Sequence, residues 1–207
     1  MTAPSRLGVW LLAIGAIALV ISGIAPYSQS TWLMEVFPIF LVVPLLLFTA
    51  RRFPLSPMLY VLILIHAVIL MIGGHWTYAR VPIGDWVEHL LGLSRNPYDR
   101  LGHLAQGFVP AIAAREILLR KTALRSGGWL FFLVCCVCLA ISACYEFIEW
   151  WTAVAMGSGA TDFLGTQGDP WDTQWDMLCA LIGSILGQLT LRRWHERQLA
   201  PFIRPDV

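Results

Sequence analysis

Charge is scarce in this sequence of 207 residues: 13% are Asp, Glu, Lys or Arg, and a single lysine, Lys121, accompanies thirteen arginines. A soluble domain carries roughly 25% charged residues, so a water-exposed globule is excluded. With 57% hydrophobic residues and a mean hydropathy of +0.68, the chain reads as a polytopic membrane protein. The net charge is only +1 and no basic patch is present, which sets nucleic acid aside as a partner. No linker and no internal repeat divide the chain, so residues 1–207 form one transmembrane domain. No cysteine lies outside an apolar run. Cys135 and Cys138 have CxxC spacing but fall inside a predicted helix, where Cys is a small packing residue rather than a redox or metal group. Residues 1–25 lack a cleavage context, because Pro26 follows Ala25, and they read as an uncleaved first membrane helix.

What is abundant is apolar runs. A span needs about 20 mostly apolar residues, and six segments qualify: 7–25, 31–50, 57–78, 98–119, 128–151 and 172–192. The expected fold is an all-α bundle of six transmembrane helices. Arg6, Arg51, Arg52, Arg115, Arg120, Lys121, Arg125, Arg192, Arg193, Arg197 and Arg204 fall on one side if the spans alternate. Arg80, Arg95 and Arg100 fall on the other. Lys and Arg mark the cytoplasmic side, so both termini are expected there. The acids divide the opposite way, although Asp and Glu contribute little to insertion. Their gathering on the outer side asks for another cause.

The densest acidic stretch is residues 162–177, which holds Asp162, Asp169, Asp172 and Asp176 and no Lys or Arg. Asp169 before Pro170 reads as a helix N-cap, with Asp172 placed to close a capping box. Asp172 and Asp176 lie four apart on one helix face, as do Asp99 and His103, with Gln106 one turn on. Glu146 and Glu149 share a face at the end of span five. Taking about 1.5 Å per residue, Asp99, Glu149 and Asp172 sit near the outer ends of their helices, and His103, Glu146 and Asp176 about one turn deeper. Acids entering lipid are costly unless a cation meets them. One His among several carboxylates suits a divalent ion, held by His103, Glu146, Asp172 and Asp176, with Glu149 or Asp99 as general base. Arg80, Arg95 or Arg100 are the alternative cations. His75 is a further candidate ligand, and His66 and Glu35 interrupt apolar spans.

Two resemblances follow from the motifs. Gly74-His75-Trp76-Thr77-Tyr78-Ala79 with Val81-Pro82, Tyr98-Asp99-Arg100 with Gly102-His103, and Gln106-Gly107-Phe108-Val109-Pro110 resemble the YjdF-like inner-membrane proteins. So do Tyr145-Glu146 with Ile148-Glu149-Trp150-Trp151, and Phe163-Leu164-Gly165-Thr166-Gln167-Gly168-Asp169 with Trp171-Asp172-Thr173-Gln174 and Asp176-Met177. That resemblance implies a six-helix bacterial inner-membrane protein of a domain-of-unknown-function family, without an assigned activity. A looser likeness is to VanZ-like membrane proteins, through Asp99 and His103, Glu146 and Glu149, and Asp176 with Gly183 and Gly187. Where those proteins place an Asn one turn after the last Asp, this chain has Ala180. Three functions fit the residues. One is a metal-dependent enzyme acting on a lipid-linked or envelope substrate. A second is a cation- or proton-coupled transporter, and a third is a scaffold ordered by an acid–arginine network. Residues alone leave the oligomeric state open.

Overall fold

The computed structural model describes residues 6–157 and 164–202; Asp162, Phe163, Arg204 and Asp206 lie outside the described residues. Seven α-helices make up the described residues, with no strand among them: α1 (Arg6–Ser22), α2 (Gln29–Thr49), α3 (Pro57–Trp76), α4 (Pro82–Leu91), α5 (Tyr98–Lys121), α6 (Gly128–Met156) and α7 (Asp172–Leu199). Each apolar run forms a helix. Three of them, in α2, α3 and α6, are long and apolar enough to cross a membrane. Helix α1 is apolar but only 17 residues long. Helices α5 and α7 are longer, at 24 and 28 residues, but carry charges at both ends.

The segment between α3 and α5, almost all of it outside the six spans expected from the sequence, is a 3-10 turn (Tyr78–Arg80) followed by α4. Pro82 opens α4, and Gly92, at φ +62, closes it with a hydrogen bond to the Glu88 carbonyl. Its apolar arc contains Ile83, Trp86, Leu90 and Leu91, all exposed, while Asp85, Glu88 and His89 fall on the other arc. A ten-residue amphipathic helix has no long apolar run to betray it. Its shape suits a helix lying in the membrane–water interface.

Helix α5 is central and packs against α3, α6 and α7, while α1 and α2 pack on α3. The closest approach is between α5 and α7. A Cβ on Gly107 would strike the Ala180 carbonyl, and one on Gly183 would strike the Leu104 carbonyl and lie 2.9 Å from the Phe108 nitrogen. One on Gly187 would lie 2.8 Å from the Phe108 oxygen. Small residues let two backbones meet where lipid supplies no hydrophobic force between helices. Cys138, fully buried, packs with Ala111, Leu130 and Val134 between α5 and α6, its Sγ 3.6 Å from the Gly107 carbonyl.

The turn after α3 is strained. Thr77, a β-branched residue, is held at φ 58. That turn drives Tyr78 inward between two glycines. A Cβ on Gly73 would lie 2.6 Å from its ring, and one on Gly102 2.8 Å.

At the arginine-rich end of the bundle, Glu116 is fully buried and joins three helices. It accepts from the Ser56 backbone nitrogen at 3.0 Å, just before α3, and from Arg120 at 2.6 Å. His195 Nε2 of α7 lies 3.1 Å away, and Gln198 accepts from the Met58 nitrogen at 3.0 Å. Side chains from α5 and α7 thus satisfy amide donors at the start of α3, which lacks a side-chain cap of its own.

Candidate acidic site at one end of the bundle

The close α5–α7 crossing sets the start of α5 beside the start of α7, and a polar clasp fixes the register. Asn96 donates to the Val81 carbonyl at 3.1 Å and to Asp85 at 2.7 Å, and accepts from the Tyr98 nitrogen at 3.0 Å. Gly84 makes room for it, since a Cβ there would strike the Asn96 amide. Gln167 then grips the Asn96 backbone from the other side, accepting from its nitrogen at 2.9 Å and donating to its carbonyl at 3.0 Å. The segment before α7 is therefore tied to the segment before α5.

Two arginines fill the space so created. Arg95 reaches Asp99 at 3.0 Å and bonds Asp172, while also donating to the Gly165 and Thr166 carbonyls at 3.1 and 3.3 Å. Burial works against its charge, but Asp172 above all and then Asp99 hold its pKa above the ordinary value. Arg100 meets Asp169 at 3.1 Å, Asp172 at 3.2 Å and Asp176 at 2.9 Å. Arg80, the third candidate cation, is elsewhere, stacked over Tyr27 at 4.2 Å. Helix α7 starts at Asp172, two residues later than Asp-Pro suggests. Asp169 Oδ1 does accept from the Trp171 nitrogen at 2.9 Å, while its Oδ2 faces Arg100. No capping box forms: the Asp169 nitrogen donates to the Thr166 carbonyl, and Asp172 is taken by the arginines.

A turn deeper, the groups change. His103 Nε2 lies 3.6 Å from Asp99 Oδ1 and 3.8 Å from Asp176 Oδ2, and its Nδ1 is 3.1 Å from Gln106 Oε1. Asp99, His103 and Asp176 are all buried, and one ligand atom from each falls within 4.8 Å of the others. Of the residues singled out by spacing, these three converge. Asp172 stands with Arg95 and Arg100 instead. Glu146 is 6% exposed and near enough to His103, Asp99 and Asp172 to feel their charges, yet its Oε1 has no hydrogen-bond partner. Glu149 is half-buried and feels Glu146, His103, Asp99 and Glu35. His75 does not join the group; its Nδ1 is 2.9 Å from the Ser22 carbonyl.

Two neighbours carried no sequence signal beyond a polar atom in an apolar run. Glu35 of α2 is 3% exposed and accepts from the Tyr145 hydroxyl at 3.4 Å. The Tyr145 ring meets His103 edge-on at 6.3 Å between centroids. Glu35 and Tyr145 are 110 residues apart in sequence, so only tertiary packing brings them together.

The comparisons with known proteins agree with this architecture. Residues 7–197 match a family model described as "Predicted membrane protein (DUF2238)". The chain is 61% identical over 184 residues to the "Inner membrane protein YjdF" of Escherichia coli (strain K12), covering 89% of this chain and 88% of that one. No solved structure matches. The protein is thus an integral inner-membrane protein, and it belongs to the DUF2238 family of membrane proteins.

Proposed function

We propose that the acidic end holds a divalent metal ion on Asp99, His103 and Asp176, and that the protein is a metal-dependent enzyme acting on a lipid-linked or envelope substrate. The observation that carries this is the approach of three buried ligand atoms, with His103 Nε2 at 3.6 and 3.8 Å from the two carboxylate oxygens. Ligands about 2.0–2.2 Å from one ion stand roughly 3–3.5 Å apart; the two distances at His103 exceed that by a few tenths of an ångström, and the three atoms, all within 4.8 Å of one another, would close in to hold an ion. Asp172, spoken for by Arg95 and Arg100, serves as a brace. Glu146, whose Oε1 lacks a partner, and Glu149 are the carboxylates that would stand free beside a bound ion to accept a proton.

Topology supports an outward-facing site. Ten of the thirteen described Lys and Arg residues stand at the opposite end; the exceptions are Arg80, Arg95 and Arg100. On the positive-inside rule that end is cytoplasmic, giving six spans with both termini inside. The exposed apolar arc of α4 supports placing the acidic end at the membrane surface.

The test is metal analysis of the purified protein beside D99N, H103A and D176N. One divalent ion per wild-type chain, absent from each variant, supports the reading. Wild type free of divalent ions after supplementation with Mg²⁺, Mn²⁺, Ca²⁺ and Zn²⁺ in turn would sink it. A second reading, a scaffold, rests on the bridging of Asp99, Asp169, Asp172 and Asp176 by two arginines. Double-mutant cycles coupling Arg100 to Asp176, in protein shown to bind no ion, favour it.

A further inference from the structure

Helices α1–α3 and α5–α7 meet chiefly through α3 and α5, and α2 is not closely packed against α6. Between α2 and α6 runs a cleft of about 520 Å³, lined almost wholly by apolar side chains, among them Phe37, Pro38 and Leu41 from α2 and Ala140, Cys144 and Ile148 from α6. Its volume lies within the roughly 300–1,000 Å³ of small-molecule sites. Two lining residues carry hydroxyls, Thr152 and Tyr145. Tyr145 forms the inner wall, with its hydroxyl bonded to Glu35 and its ring against His103.

We propose that this cleft seats one hydrocarbon chain of a membrane lipid, with Tyr145 as the partition between that chain and the acidic site, so that a lipid is the substrate class. The proposal rests on the metal-site reading for its chemistry, but on the cleft for its occupant. Both walls belong to helices apolar enough to cross a membrane, and the cleft is continuous with their exposed, lipid-facing surface, where Phe37, Leu41, Phe147 and Ile148 stand. Its length also fits. Met34 to Leu41 spans about 10 Å and Val137 to Thr152 about 22 Å, which bracket the roughly 15 Å of hydrocarbon in one leaflet. Both stretches run from mid-helix toward the acidic end, so a chain lying there belongs to the leaflet whose head groups are level with the site. A soluble envelope component offers nothing to fill such a wall.

The full chain is reconstituted in nanodiscs of phosphatidylethanolamine and phosphatidylglycerol containing a trace of phosphatidylethanolamine with a diazirine midway along one acyl chain. After irradiation, adducts are mapped by mass spectrometry and divalent-ion content is measured on the same samples. The expected result is several-fold more adduct on Phe37, Leu41, Ala140 and Cys144 than on Ile17 and Val20, which are exposed on α1. Ala140→Trp, or Cys144→Phe as a second variant, fills the cleft and removes its adducts without changing those on α1. EDTA lowers the cleft adducts at least threefold, because a head group that reaches the ion loses its anchor. Cleft adducts no more abundant than those on α1, unmoved by either variant, or replaced by links between two copies of the chain overturn the seat. Cleft adducts indifferent to EDTA in ion-bearing protein leave a bulk lipid only, and overturn the substrate assignment. Protein without an ion that still labels in the cleft refutes the metal reading alone.

Discussion

Replacing Gly183 by alanine tests whether the α5–α7 contact builds the site. Alanine gains about 1 kcal/mol over glycine in a helix interior. Against that, its Cβ would overlap the Leu104 carbonyl and stand 2.9 Å from the Phe108 nitrogen. Ordinary contact is about 3.5 Å, so the two backbones must separate by about 0.6 Å or more. Overpacking of this kind costs about 1–3 kcal/mol, and a backbone obstacle that has no rotamer to move belongs at the upper end. The net expectation is a loss of about 1–2 kcal/mol, or roughly 2–8 °C in the thermal midpoint for a chain of this size. The same separation carries Asp176 on α7 away from His103 on α5, already 3.8 Å apart. Metal ligand distances tolerate only about ±0.2 Å, so ion affinity should fall at least tenfold. Thermal unfolding in detergent and a metal titration read the two effects. Gly128→Ala, where a Cβ meets nothing within 4 Å, is the control and should be neutral or slightly stabilising. A Gly183→Ala protein that melts no lower than wild type and binds the ion unchanged would refute the reasoning.

Arg100→Ala leaves Asp169, Asp172 and Asp176 without their shared partner. The cost of breaking buried pairs is about 3–5 kcal/mol, at the lower end here because the Arg100 side chain is 20% exposed. Arg100→Lys should recover less than half of it, since one ammonium cannot reproduce a fork that meets three carboxylates; chemical or thermal denaturation reads both. Glu116→Ala, at the other end, strands the Ser56 amide, Arg120 and His195 and should cost about 3–5 kcal/mol. Ion affinity at Asp99, His103 and Asp176 should stay within twofold, measured by titration on the folded fraction. Gly102→Leu drives a side chain into Tyr78, 2.8 Å from the new Cβ, and should lower the melting midpoint; Gly92→Ala, in open space but at φ +62, should cost only about 1 kcal/mol of backbone strain.

The six long helices were legible as mostly apolar segments of about span length, although Glu35 and His66 interrupt two of them and the helices α5 and α7 carry charges at both ends. Ends were less so: α6 continues past residue 151 to Met156, and α7 past residue 192 to Leu199, where polar residues extend the helix beyond its apolar run. Helix α4 was hidden by its brevity. At the site, i,i+4 spacing on α5 correctly paired Asp99 with His103 on one face, since spacing within one helix is a local property. Which helix faces which is not. Asp172 and Asp176 share a face on α7 and share Arg100, yet the crossing at Gly107 and Gly183 hands Asp172 also to Arg95 and Asp176 to His103. Arg95 and Arg100 could be named as alternative cations, but not assigned to partners. Glu35 registered only as an interruption, because its neighbour Tyr145 lies far along the chain.

The buried carboxylate of Glu116 bears on how the chain is made. The first amides of α3 appear early in synthesis, yet their acceptors, Glu116 and Gln198, emerge some 60 and 140 residues later. Until α5 is translated the Ser56 amide has only water or lipid head groups to turn to; until the final helix follows, the same holds for the Met58 amide, and Glu116 lacks His195. Completion of the bundle is thereby registered at one point, and a chain halted before residue 195 exposes an unfinished polar end to the proteases that survey newly inserted membrane proteins.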